Sequence, residues 1–369
     1  MNEDKAQRYH RLKRLTGLLS LAWSVALLVW LVLSGATLTL RDFAEHLTSP
    51  GAGWLAAAVY VVVLLLINEV GSLPIAFYGS FLLERRYGLS NETLAGWLLD
   101  QVKGIAVATP LALGAVAVIY SAMRWFPAEW WVVAGAAFAV LIIGLANVAP
   151  VVLIPIFYRV KPLERESLRV RLLALAERAG ARVLGAYELG LGDKTKKANA
   201  ALTGVGGTRR ILVSDTMLAE YSDDEIEVVL AHELAHHVHG DIWKGIVFET
   251  GLLLAGFYAA SRLLAAFAGP TGLRGNDDVA GVPLLLLAAG AVSLVMMPAA
   301  HAMSRAYERS ADRFAIDLTN NPAAFISAMR RLGAQNLAEE HPSRLVQWLF
   351  YSHPPIRERI ASAERRAVT

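Results

Sequence analysis

The segment Ser222-Asp223-Asp224-Glu225, followed by His232-Glu233-Leu234-Ala235-His236, decides how the rest of the chain is read. A serine with a glutamate three residues on is a capping box, and Ile226, Val229, Leu230 and Leu234 supply the apolar stripe of a helix. At roughly 100° per residue the two histidines sit one turn apart on one face, so both imidazoles can reach a single zinc ion. Glu233 falls beside that position, where a carboxylate can take a proton from an attacking water. An H-E-x-x-H also arises by chance on helices with two solvated histidines. The cap and a suitable third ligand downstream favour the metal site.

The third ligand sets the class of enzyme. A metzincin would carry glycine at 239 and histidine at 242, but this chain has His239 and Ile242. His239 shares a face with His232 and His236, yet three ligands from one straight helix would strain a tetrahedron. Glu308, in Ser304-Arg305-Ala306-Tyr307-Glu308-Arg309-Ser310-Ala311-Asp312, is the better ligand, and Asp312 one turn later offers a carboxylate to orient a ligand imidazole. The bland alternative is a solvated helix face shared with Arg305 and Arg309.

The 369 residues are 55% hydrophobic and carry no cysteine, with a mean hydropathy of +0.43. That is too apolar for an ordinary soluble protein, and it excludes disulfides and cysteine chemistry. The formal charge is only +3, and the basic residues cluster beside apolar runs, as membrane orientation requires and nucleic-acid binding does not. Apolar runs at Gly17–Thr39, Trp54–Leu83, Gly104–Met123 and Trp130–Tyr158 read as four spans. The first is read as a retained anchor rather than a signal peptide. Asn68, Glu69 and Pro74 interrupt the second, and the polar pair either lines a cavity or lies at the span's end.

Residues 159–243 read as a soluble segment, with a helix over Glu164–Ala179 and strands at Val183–Leu189, Lys197–Thr203 and Arg209–Val213. Gly204-Val205-Gly206-Gly207 lacks the G-K-[ST] of a phosphate loop and reads as a hairpin turn. Spans at about 245–267 and 279–304 follow. Glu308 can meet the histidines' metal only if the chain crosses the bilayer an even number of times between them, so two crossings are expected, six in all. Lys5, Arg8, Arg85, Arg86, Lys103, Arg159 and Lys161 then fall on one side, the cytoplasm by the positive-inside rule. Asn321-Pro322 reads as a helix start. The amphipathic, aromatic segment Leu345–Tyr351 reads either as packing on the domain or as lying at the membrane surface, with packing favoured.

These motifs, with Asn199-Ala200-Ala201-Leu202-Thr203-Gly204, Ser352-His353-Pro354-Pro355, Glu84-Arg85-Arg86-Tyr87-Gly88-Leu89 and Leu99-Asp100-Gln101, occur in an order that resembles the integral-membrane zinc endopeptidases of the type I CAAX prenyl protease family. The resemblance runs from about residue 60 to 361 and implies a gluzincin site holding one Zn2+ through His232, His236 and Glu308. It further implies that His353 and Arg359 stabilise the oxyanion or position the substrate, and that Asn199 lies on a strand to which an extended peptide adds. On sequence alone, His353 before two prolines reads as a turn residue and Asn199 as an ordinary strand end. The resemblance also implies an apolar chamber between the membrane helices and peptide or protein substrates, either prenylated C-termini or a broader set of membrane and misfolded proteins. The expected fold is therefore mainly α: a membrane domain over 1–158, and a zincin-like α+β peptidase domain over 159–369 interrupted by two spans. A solute transporter or a catalytically inactive scaffold of the same topology is the alternative. A transporter leaves the zinc motif idle and lacks matching halves, and a dead scaffold would tolerate loss of Glu233 or Glu308.

Overall fold

The computed structural model describes residues 2–48, 53–204 and 206–367. Among the described residues, six helices are long and apolar enough to cross a bilayer: Lys5–Leu33, Gly53–Arg86, Leu94–Trp125, Trp130–Phe157, Asp241–Thr271 and Val279–Thr319. Helices answer the absence of water in lipid, because every backbone hydrogen bond closes within the segment. Their outward faces stay apolar, with Val140, Val247 and Val295 each at least 70% exposed.

Helix α1 (Asn2–Leu33) stops short of the expected Thr39. The chain turns at Gly35, at φ 73°, into a short helix α2 (Ala36–His46) whose Thr37, Arg41 and Ala44 are buried. Apolar composition continues across that turn, so hydropathy does not register it. Helix α3 (Gly53–Ala76) passes through a π turn at Phe77–Leu82 into α4 (Leu83–Arg86), three residues after Pro74. A π turn accommodates a break in the hydrogen-bond ladder without ending the helix. At Gly71 a Cβ would lie 1.9 Å from the Trp23 ring, so glycine lets α1 and α3 close on one another. Helix α5 (Leu94–Trp125) is capped by Thr93. Helix α6 (Trp130–Val148) continues through a second π turn at Ala149–Leu153 into α7 (Ile154–Phe157). A cavity of about 490 Å³ lies among the membrane helices, lined by apolar side chains with Ser24 and Asn68. Asn68 accepts a hydrogen bond from Ser24 Oγ there at 3.0 Å.

The soluble part opens with β1 (Arg159–Pro162), α8 (Glu166–Arg178), β2 (Ala186–Gly190), β3 (Ala200–Thr203) and β4 (Arg210–Ser214). The sheet order is β1-β2-β4-β3, with only β2 and β4 parallel. Strand β3 is therefore an edge. Strand β1 was not expected, since a four-residue strand ending in proline carries no period-2 signal. In the glycine-rich connection to β4, Val205 lies outside the described residues, and Gly206–Thr208 form a short 3₁₀ turn.

Helices α9 (Asp215–Glu220) and α10 (Asp223–Val238) follow, then the spanning helices α11 (Asp241–Thr271) and α12 (Val282–Thr319). Helix α13 (Pro322–Gln335) starts where Asn321 accepts from Ala324 N–H, and α14 (Arg344–Phe350) and α15 (Ile356–Ala367) complete the domain. One core joins Leu168, Leu172 and Leu175 of α8, Ile211 and Val213 of β4, Ile226, Leu230 and Leu234 of α10, and Phe325 and Met329 of α13. Each such side chain contributes about 1.5–3 kcal/mol, more than a surface ion pair at ~0–1 kcal/mol. Apolar burial therefore sets the pose of α10. Helix α14 packs on α12, where the buried Arg305 donates to the Gln347 and Tyr351 carbonyls, while Leu345 and Trp348 on its outer side stay 63% and 51% exposed.

Candidate active site

The capping box opens α10. Ser222 Oγ accepts from Glu225 N–H at 3.2 Å, and Glu225 Oε2 accepts from Ser222 N–H at 2.8 Å. The other oxygen of Glu225 accepts from Ser327 at 2.6 Å and Arg331 at 3.2 Å, which ties α10 to α13. A helix pinned at its start and packed along its stripe presents one face to α12 in a fixed register. On that face are His232, Glu233 and His236.

His232 Nε2 lies 3.2 Å from Glu308 Oε2, and His236 Nε2 lies 3.4 Å from Glu308 Oε1. One ligand atom from each of the three residues falls within 4.8 Å of the others. The far nitrogens face carboxylates: His232 Nδ1 is 2.9 Å from Asp312 Oδ1, and His236 Nδ1 is 3.0 Å from Asp241 Oδ2. Carboxylates only accept, so each Nδ1 carries a hydrogen, and each Nε2, which also faces a carboxylate, meets Glu308 either through a proton of its own or through a cation held between them. Buried Glu308 Oε2 has no hydrogen-bond partner. A positive charge, as a proton or a metal ion, is what makes these nitrogen–carboxylate contacts favourable. The electrostatics agree. Burial alone would lower the His232 pKa, yet the adjacent carboxylates of Asp312 and Glu308 lift it to about 9, so the pocket favours positive charge. The donor set of two imidazole nitrogens and a carboxylate suits a divalent metal.

Asp241 was not singled out from the sequence. It follows Gly240, whose left-handed φ of 68° lets α11 start immediately and turn the Asp241 carboxylate back onto His236. The Gly240-Asp241 helix start was the available signal. Asp312 is buried rather than solvated and accepts from Arg359 Nε at 2.9 Å and Nη2 at 2.5 Å. Arg309 pairs with Glu358 instead. Arg359 is buried, and Asp312 holds its pKa above the ordinary value against the effect of burial. His239 does not join the cluster: its ring packs edge-on against Phe314 at 5.5 Å.

A cleft of about 310 Å³ opens over these residues, lined also by Glu233, Asn199, Ala200, His353 and Arg359. Burial raises the pKa of Glu233. His353, whose side chain is largely exposed, reaches with Nε2 to 3.3 Å from Glu308 Oε1. Asn199 is tied to β4 through its backbone, with N–H donating to Ser214 Oγ at 3.0 Å and C=O accepting from Ser214 N–H at 2.9 Å.

Residues 162–367 match the model of peptidase family M48, and residues 2–159 match that of the CAAX prenyl protease N-terminal domain, described as five membrane helices. Among the described residues of that second region, four helices are of spanning length. An uncharacterized metalloprotease of Bacillus subtilis is 32% identical, over 85% of this chain and 76% of that protein. CAAX prenyl protease 1 of Saccharomyces cerevisiae is 24% identical, over 81% of this chain and 70% of its own. In fold, the chain superposes on the crystal structure of S. mikatae Ste24p with a TM-score of 0.85 at 21% identity, covering 98% of this chain and 88% of that one. The convergence of two histidines and a glutamate thus sits in a fold and a sequence that agree, and the chain belongs to peptidase family M48 as a membrane metalloprotease of the CAAX prenyl protease type.

Proposed function

We propose that this chain is a zinc endopeptidase that hydrolyses peptide bonds at the cytoplasmic face of its membrane, with prenylated C-terminal peptides among its substrates. The observation that carries the reading is the convergence of ligand atoms of His232, His236 and Glu308 within 4.8 Å of one another, beside a cleft lined by His232, Glu308 and Glu233. His232, His236 and Glu308 hold the ion, and Asp312 and Asp241 fix the two imidazoles in the tautomer that can bind it. When bound, zinc supplies Lewis acidity that polarises the scissile carbonyl and brings the pKa of the attacking water toward ~7. Glu233 takes the proton of that water and passes it to the leaving amine, a role for which its raised pKa suits it. His353 and Arg359 border the same cleft and position the substrate and the developing oxyanion. Asn199 and the β3 edge receive the substrate backbone. The apolar cavity among the membrane helices suits an isoprenoid or other lipid-like group.

The substrate reading is tested with one peptide, with and without a prenyl chain, against purified protein, using Glu233→Gln as the blank. Faster cleavage of the prenylated form is expected. Equal rates would make the enzyme a broad endopeptidase. For the metal, Asp241→Asn should weaken zinc binding by about 10–100-fold, as loss of an orienting partner does, measured by competition with a chelator. An unchanged affinity would remove Asp241 from the site. For orientation, a fluorescent reporter fused after residue 369 should light up in the cytoplasm. Alkaline phosphatase activity of the corresponding fusion would reverse the topology.

A further inference from the structure

The edge of the sheet that faces the cleft is open at β3 but closed just before it. Asn199 bonds inward to β4, so its neighbours Ala198 and Ala200 turn their amide groups outward, by the alternation of an extended strand. At Ala198 both outward groups are taken by one side chain. Asn336 Oδ1 accepts from Ala198 N–H at 3.1 Å, and Asn336 Nδ2 donates to Ala198 C=O at 3.3 Å. A carboxamide makes there the pair of bonds that a neighbouring peptide would make. Two residues earlier the outward groups of Lys196 are also taken, its N–H by Leu89 C=O and its C=O by Gln335 Nε2, each at 2.9 Å. Among the described residues no such partner covers Ala200, which borders the cleft beside His232 and Glu233.

We propose that Asn336 is a specificity-determining residue: by capping Ala198 it ends the substrate-binding edge and limits how many residues can follow the scissile bond. The inference rests on the peptidase reading above. An antiparallel ladder is slightly more stable per residue than a parallel one, so a peptide on β3 runs opposite to it, with its C-terminal end directed toward Ala198. Past Ala200 that peptide finds no free backbone group, and the wall of the cleft there is built by Asn336, Ala338, Glu339 and His10 of α1. A short C-terminal segment fits before the wall. A long one must leave the edge and lose its backbone bonds. The membrane domain thus takes part in selection, since α1 supplies one side of this wall.

The test is kcat/KM for peptides that share one cleavage site and differ only in the number of residues after it, with products assigned by mass spectrometry. In the wild type the value should fall about tenfold or more once the segment is long enough to reach Asn336. Asn336→Ala should remove most of that fall, whereas Gln335→Ala, which frees only a position beyond the cap, should keep it. Circular dichroism and zinc content show whether each variant is folded. If Asn336→Ala is unstable, Asn336→Asp, which loses only the Nδ2 donor, should relax the limit in part. Wild-type cleavage that ignores this length, or depends on the length before the site instead, would overturn the proposal while leaving the peptidase reading intact. A wild-type limit that survives in the folded Asn336 variants would likewise exclude Asn336 as its cause. Absence of cleavage of every peptide by zinc-loaded wild type would count against the peptidase reading itself, and the cap would fall with it.

Discussion

Glu233→Gln is expected to abolish peptide cleavage while leaving the metal in place. Glutamine keeps the volume and one carbonyl oxygen of the glutamate but cannot accept and return a proton at neutral pH. General acid–base catalysis contributes about 10²–10⁴-fold, so turnover should fall by at least about 100-fold, in kcat rather than KM. Zinc content should stay at the wild-type level, because the three converging ligand atoms come from His232, His236 and Glu308 and none from Glu233. The fold should hold as well. Glu233 lines the cleft, whereas the buried stripe of α10 runs through Ile226, Leu230 and Leu234. The measurement pairs peptide hydrolysis with metal analysis on the same preparation. Turnover within a few-fold of wild type would remove Glu233 as the base, and a joint loss of zinc and activity would make its role structural.

What the sequence disclosed was what local patterns encode. The capping box at Ser222 and Glu225 is a contiguous motif and forms as read. The six spans follow from apolar length, and the two crossings between His236 and Glu308 follow from requiring those residues to meet. Features set by contacts distant in sequence stayed hidden. The break at Ser34-Gly35 lies inside an apolar run. Pro74 suggested an interruption, but a π turn absorbs it. The strand expected from Lys197 begins only at Ala200: Asn199 still bonds to Ser214 of β4, but before it the outward groups of Ala198 and Lys196 are taken by Asn336, Gln335 and Leu89, contacts distant in sequence. Asp312 and Arg359 are separated by 47 residues, and no pattern in either segment announces that they pair. Helix α14 packs on α12 as its amphipathic pattern suggests, but which of its aromatic and aliphatic side chains face outward, Leu345 and Trp348, is set by that contact and not by the pattern.

Glu308→Ala is expected to empty the metal site. The side chain approaches both imidazoles, at 3.2 Å and 3.4 Å, so its removal would take away one of the three proposed ligands and the anionic charge that would compensate a divalent ion. Loss of an outer partner of a metal ligand weakens binding by about 10–100-fold, and loss of a ligand itself should exceed the upper end of that range. Two imidazoles on one helix would remain, with Asp312 and Asp241 still holding their Nδ1 hydrogens. That is enough to orient the rings but too little to retain zinc against a chelator. The variant also leaves a void in a buried position of α12 and releases the electrostatic partner of Arg359, whose Nη2 lies 3.9 Å from Glu308 Oε2. Glu308→Gln separates these effects, because it fills the space and keeps an oxygen ligand but not the charge. Zinc per chain should fall from about one toward zero in Glu308→Ala, with Glu308→Gln between them and helix content unchanged in both. Full zinc occupancy in Glu308→Ala would mean that another side chain completes the site. His239 would be the first to test, although its packing against Phe314 directs it elsewhere.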